Sequence, residues 1–170
     1  VATVAVHAAA DAPAPPAREA DAAVPLPGDA PADTYLRGDL IVAAALGAAI
    51  LHAGELAGSL ADRLFLPGNL LVLWLVYPLV KGLHELGHAF AVKRWGGEVH
   101  ELGITLLALT PIPYVDATAS AAFPAKRHRM AVAAMGMMAE LLLASLALFV
   151  WLNVETGLVS AVAYNVMLIG

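Results

Sequence analysis

Three long apolar runs dominate the pattern of hydrophobic and polar positions: Leu40 to Ala61, Leu70 to Val92 and Met130 to Leu152. Wound as helices at 1.5 Å per residue, each is long enough to cross a hydrocarbon core about 30 Å thick. A fourth run begins at Leu158 and reaches 170, where the sequence stops within it. Residues 98–115 are too short and too rich in Gly and Pro for a spanning helix, yet Leu102 to Leu109 is apolar. Irregular backbone is tolerated at membrane depth only when buried in protein or lining a wet cavity. A short re-entrant hairpin or loop is therefore expected there. The first 36 residues mix Ala, Pro and Asp without a period, and this predicts a disordered acidic tail or linker. The expected fold class is an all-α membrane protein: a polytopic transmembrane helix bundle over 37–170, with spans near 40–61, 70–92, 130–152 and 158–170. With no initiating Met and an apolar end at Gly170, the chain is expected to be a fragment of a longer one.

Composition strengthens the membrane expectation: 61% of residues are hydrophobic, 14% are charged, and the mean hydropathy is +0.77. Cysteine is absent, which excludes disulfides and thiolate-bound metals and leaves His and carboxylates as the ordinary ligands. A signal peptide does not fit an opening that lacks a basic start and carries Pro13, Pro15 and Pro16. No basic aromatic patch suits nucleic acid. Lys93, Arg94, Lys126, Arg127 and Arg129 crowd into one connection, while the others hold Asp62, Arg63 and Glu155. Positive charge stays inside, so residues 93–129 are expected to be cytoplasmic, in a multi-pass protein of a plasma or inner membrane.

Within the second run stands His84-Glu85-Leu86-Gly87-His88. Imidazoles four residues apart on a helix are separated by roughly 6 Å of rise and about 40° of rotation, so both can reach one ion. Glu85 falls in a neighbouring sector. Two neutral imidazoles with a carboxylate beside a metal-bound water form the arrangement of a zinc hydrolase. A chance match on a wet helix is the alternative, but in hydrocarbon such groups are costly unless paired or ligated. Glu85 lies eight residues before Lys93, about 12 Å along the helix, which sets the candidate Zn2+ site inside the bilayer near its cytoplasmic face.

From His84 to Trp151 the chain resembles the site-2 protease family of intramembrane zinc metalloproteases, nearest the peptide zinc metalloprotease branch associated with biosynthesis or export of small secreted peptides. HELGH carries the resemblance, within HELGHAFAVKRWGGEVHELGITLLALTPIPYVDATASAAFPAKRHRMAVAAMGMMAELLLASLALFVW. It implies His84 and His88 as zinc ligands and Glu85 as the catalytic base. Two departures stand beside it. Where many relatives carry Gly-Pro-x-x-Asn, this chain reads Gly136-Met137-Met138-Ala139-Glu140, and no Asp-Gly segment able to supply a third ligand occurs before Gly170. Within the chain Asp116 is the leading substitute, with a loop-turn role as its alternative. Glu140, His100 and His128 rank below it.

Lys81 and Glu140 lie about 18 and 16 Å deep from the same side, so a Lys81 to Glu140 ion pair is expected between antiparallel helices, with Lys81 to Glu85 as the rival. Gly87 and Gly136 come level and would let the helices approach closely. Gly54 and Gly58 suggest a helix-packing face in the first span, with His52 and Glu55 on it or beside it. Trp74, Tyr77, Trp95 and Trp151 suit span and interface positions. The functional expectation is an intramembrane zinc metalloendopeptidase that hydrolyses a membrane-associated or secreted peptide precursor added as a strand to the hairpin. The alternative is a non-proteolytic membrane component of a peptide export or maturation apparatus. Expected partners are the lipid bilayer, a peptide or protein substrate and export or maturation proteins, with no nucleic acid.

Overall fold

The computed structural model describes residues 3–63 and 66–170, the side chains of residues 59–63 excepted. Regular elements occupy the segment expected to be a disordered tail. β1 (Val4–His7), α1 (Pro15–Glu19) and β2 (Ala22–Pro25) form a strand-helix-strand unit whose strands pair in parallel, Val4 opposite Ala22 and His7 opposite Pro25. Prolines at the start of α1 suit the first helical turn, where no amide donor is needed. The apolar side chains of this unit, too few for a core of their own, use the helices beyond. Val4 packs with Ala45, Ala48, Leu148 and Leu152, and Leu26 with Ile41 and Ala44.

The first expected span divides into α2 (Gly38–Leu51) and α3 (Ala53–Arg63), broken at His52. His52 turns its Nδ1 to Glu55 Oε1 at 3.0 Å while its carbonyl accepts the Leu56 amide, so it closes one helix and opens the next. Gly54 and Gly58 meet no other helix within 4 Å among the described residues. α4 (Pro67–Arg94) and α5 (Lys126–Asn153) cover the second and third runs, and α6 (Leu158–Ile169) the fourth. Between α4 and α5, β3 (Leu102–Leu107) and β4 (Thr110–Val115) pair antiparallel around a two-residue turn, Ala108 and Leu109.

The expectation of an all-α polytopic bundle is therefore corrected. Helices are combined with two small sheets, and among the described residues two helices, α4 and α5, are long and apolar enough to cross a membrane. Strands β3 and β4 fall where a hairpin or loop was expected, but apolar residues sit on both of their faces, so alternation does not mark their bounds. α4 and α5 run antiparallel, with Lys81, His84 and His88 opposite Glu140, Gly136 and Val132. α6 returns against both helices. Its Asn165, fully buried, donates to Asn69 Oδ1 of α4 at 2.7 Å and to the Ala161 carbonyl at 2.8 Å.

Candidate functional site

Lys81, His84 and His88 recur at helical spacing and share one face of α4. Lys81 Nζ donates to Glu140 Oε1 at 2.5 Å, so the pair expected from depth arithmetic forms. Glu140 is 8% exposed, and burying a carboxylate to that degree requires such a partner. The same Oε1 stands 3.2 Å from His84 Nδ1, without the alignment of a hydrogen bond. His84 Nε2 and His88 Nε2 are 3.1 Å apart, and His88 Nδ1 lies 2.7 Å from the Val132 carbonyl oxygen. That oxygen can only accept, so Nδ1 of His88 is the donor there, while the direction between the two Nε2 atoms is set by the tautomers. A continuous polar line thus runs from Lys81 through Glu140, His84 and His88 to the α5 backbone. Gly136 makes room for it, since a Cβ there would lie inside the space of the His84 ring.

The zinc cofactor expected at this site lacks a complete ligand set among the described residues. His88 and Glu140 lie at opposite edges of the His84 imidazole, one at Nε2 and the other at Nδ1, so the three cannot surround a common ion. No group of three or more His, Asp or Glu converges on a metal position among the described residues. A catalytic zinc normally takes three protein ligands. Asp116 does not supply one: it sits at the foot of the β3–β4 hairpin, where its Oδ1 accepts the Thr118 amide at 3.0 Å. The Thr118 side chain and then its amide hold the Asp116 carboxyl below the usual range. His100 stands 3.5 Å from Glu98 in an exposed loop, and His128 stacks on Trp95 with ring centres 4.8 Å apart. Glu85 borders an apolar groove of about 650 Å³ between α4 and the hairpin, lined by Leu79, Leu83, Ile104 and Tyr114 among others.

A second polar centre, absent from the sequence expectations, organises the amino-terminal unit. Asp21 Oδ2 accepts from the Thr3 amide at 2.7 Å and from its hydroxyl at 2.9 Å, and the amide first, then the hydroxyl, keeps this carboxyl below its ordinary range. The Tyr35 hydroxyl donates to Asp11 Oδ2 at 2.6 Å and accepts the Ala8 amide at 2.9 Å. Asn153, at the end of α5, donates to the Val4 carbonyl at 2.9 Å and ties β1 to the apolar helices. The signal for this unit was two short apolar stretches, Val4 to Val6 and Ala22 to Leu26, at a spacing that accommodates a crossover.

The family described as biotin carboxylase, N-terminal domain, matches residues 1–63. No curated protein and no solved structure matches the chain. The matched stretch contains β1, α1 and β2 and ends with α3, ahead of the His84 to Trp151 stretch that carried the protease resemblance. Together with the missing third donor, it overturns the site-2 protease reading: the hydrolase and metalloprotease function, its non-proteolytic alternative and the zinc cofactor are withdrawn. The matched family is one of enzymes, carboxylases rather than peptidases, so the expectation of an enzyme stands in that coarser form.

Enzymes of this family use ATP, Mg or Mn, and biotin. The groove of the matched stretch does not suit the nucleotide. Residues 1–63 contain no Lys, Arg37 is committed to Asp39 by bonds of 2.8 and 2.6 Å, and Arg18 does not border the groove. The groove beside β1, about 510 Å³, is bordered by Thr3 to Val6, Glu19 and Asn153 among others, and Glu19 is the one charged side chain along it. A lone carboxylate repels a triphosphate.

Proposed function

We propose that the chain is a membrane-held segment of a biotin-dependent carboxylase. In this reading residues 1–63 contribute part of the framework of the amino-terminal domain rather than its reaction centre, and α4 with α5 seats that framework in a lipid bilayer. The observation that carries the enzyme class is the coincidence of the family match with a parallel β1–α1–β2 unit. Parallel pairing needs a crossover and belongs to layered α/β domains rather than to a tail. The low burial of the apolar helices supports the membrane seat. Only 17% of the most apolar stretch of α4 and 39% of that of α5 is buried within the protein, whereas a core helix of a soluble domain is mostly buried.

No ATP-dependent step is assigned to these residues, because they do not fit the nucleotide. Their part is to pack and to present the unit: Val4 and Leu26 anchor it on α2 and α5, and the Asn153 amide fixes the height of β1 at the end of α5. The test is an exchange. A biotin carboxylase whose corresponding amino-terminal stretch is replaced by the full chain, so that residues 1–63 keep α5 beneath them, should fold and still fix labelled bicarbonate in an ATP-dependent, biotin-dependent manner. A folded exchange product with no such fixation overturns the assignment.

A further inference from the structure

Five of the nine Lys and Arg residues gather at one end of the α4–α5 pair, although the chain as a whole carries a net charge of −5. Lys93 and Arg94 close the last turn of α4, and Lys126, Arg127 and Arg129 open the first turns of α5. The two sets meet because the helices are antiparallel and because Val92, Phe123 and Val132 pack beneath them. Arg129 is used locally, donating to the Phe123 and Pro124 carbonyls. Lys93, Arg94, Lys126 and Arg127 are exposed and have no acidic partner among the described residues. Glu98, the acid next along the chain, is turned to His100.

Basic side chains suit the end of α4, but they oppose the backbone charge at the start of α5, where positive residues meet the positive pole of the helix. Ala125 precedes that helix and offers no side-chain cap. An external anion relieves both problems, because it neutralises the cations and accepts from uncapped amides. Immediately below the basic ring the surface is apolar: Phe90 is 70% exposed and Met130 60% exposed, and the exposed Leu residues of α4 continue from them. Trp95, half-buried and stacked on His128, stands at the boundary. A partner must therefore present anionic groups directly above hydrocarbon. A nucleic acid or an acidic protein segment has the first but not the second.

We infer that Lys93, Arg94, Lys126 and Arg127, with the Trp95–His128 stack, form a collar for the headgroups of anionic phospholipids. This deepens the proposed membrane seat and rests on it. A juxtamembrane cluster of this kind attracts anionic lipid through each basic side chain, and Trp belongs at the headgroup level.

The experiment uses the full chain, reconstituted in bilayers of equal parts phosphatidylcholine and phosphatidylglycerol and released for native mass spectrometry. Retained phosphatidylglycerol should exceed retained phosphatidylcholine by about five-fold or more. Combined Lys93→Gln, Arg94→Gln, Lys126→Gln and Arg127→Gln should bring the ratio towards one, while Arg18→Gln with Arg37→Gln should leave it unchanged. Each half of the quadruple variant, made separately, should lower the ratio in part, which keeps the result readable if the full variant folds poorly. Equal retention of both lipids by the parent, or an undiminished preference in the folded quadruple or half variants, overturns the collar. So does tight heparin binding by the solubilised chain without a lipid preference, which would point to a soluble polyanion. Alkaline carbonate extraction reports separately on the seat. A chain that resists extraction but shows no headgroup preference sinks the collar alone. A chain that carbonate removes sinks the seat and the collar that rests on it.

Discussion

At the scale of single residues, the contact between α4 and α5 is decided by one ion pair and one missing Cβ. Lys81 keeps 28% of its side chain exposed and Glu140 only 9%, so removal of either partner strands the other in a poorly solvated place. Lys81→Met and Glu140→Gln should each destabilise the protein by about 2–3 kcal/mol, below the ~3–5 kcal/mol of a fully buried pair because Lys81 retains some water. The double variant should recover part of that loss, and thermal unfolding of the four proteins in detergent gives the coupling; simple additivity would deny it. Gly136→Ala tests the close approach by its sign. In an open helix this change stabilises by roughly 0.5–1 kcal/mol, but here the added methyl meets the His84 ring, and a loss of about 1–3 kcal/mol is expected. A raised melting temperature would mean that the ring is free to move aside.

At the scale of elements, the hairpin carries its own strain. Ala108 and Leu109 connect β3 to β4 with φ of 47° and 68°, a left-handed pair that matches the twist of the strands but suits neither side chain. Asn at 108 and Gly at 109 are the residues that such a turn favours. Ala108→Asn with Leu109→Gly should stabilise the hairpin by about 1–2 kcal/mol, seen as slower amide exchange across Leu102 to Val115 with little change in α5. Exchange that is unchanged or faster in the double variant would show that the turn relaxes without difficulty. Leu109 is 84% exposed, so no packing is lost to offset the gain.

At the scale of the whole molecule, the amino-terminal unit and the basic collar lie at opposite ends of α5, one at Asn153 and the other at Lys126. If α5 crosses a bilayer, the two must emerge on opposite sides. The absence of native Cys allows a direct measurement. Single Cys residues placed at Glu98 and at Glu19 should label with an impermeant maleimide from different faces of sealed vesicles. By the positive-inside rule, Glu98 takes the cytoplasmic face. Labelling of both from one side would exclude a spanning α5 in this fold.

What the sequence determined by itself was what depends on position along one helix: the two long apolar helices, the level at which Lys81 meets Glu140, and the matching heights of Gly87 and Gly136. Rise and period are local quantities, so counting residues was enough. The hairpin between the helices was legible as a short non-helical hairpin or loop within 98–115, but its register and its turn at Ala108 and Leu109 were not. The amino-terminal unit left only two short apolar stretches as a signal, too little to read as structure, because Val4 is buried by Leu148 and Leu152 and is bonded by Asn153, contacts remote in sequence. The break at His52 was equally hidden inside an apolar run, where a His52–Glu55 contact accompanies the change from one helix to the next. Only the tertiary structure could show that His84 divides its two nitrogens between His88 and Glu140. Spacing puts two imidazoles on one face, but the direction each ring nitrogen takes is set by the helix packed against it.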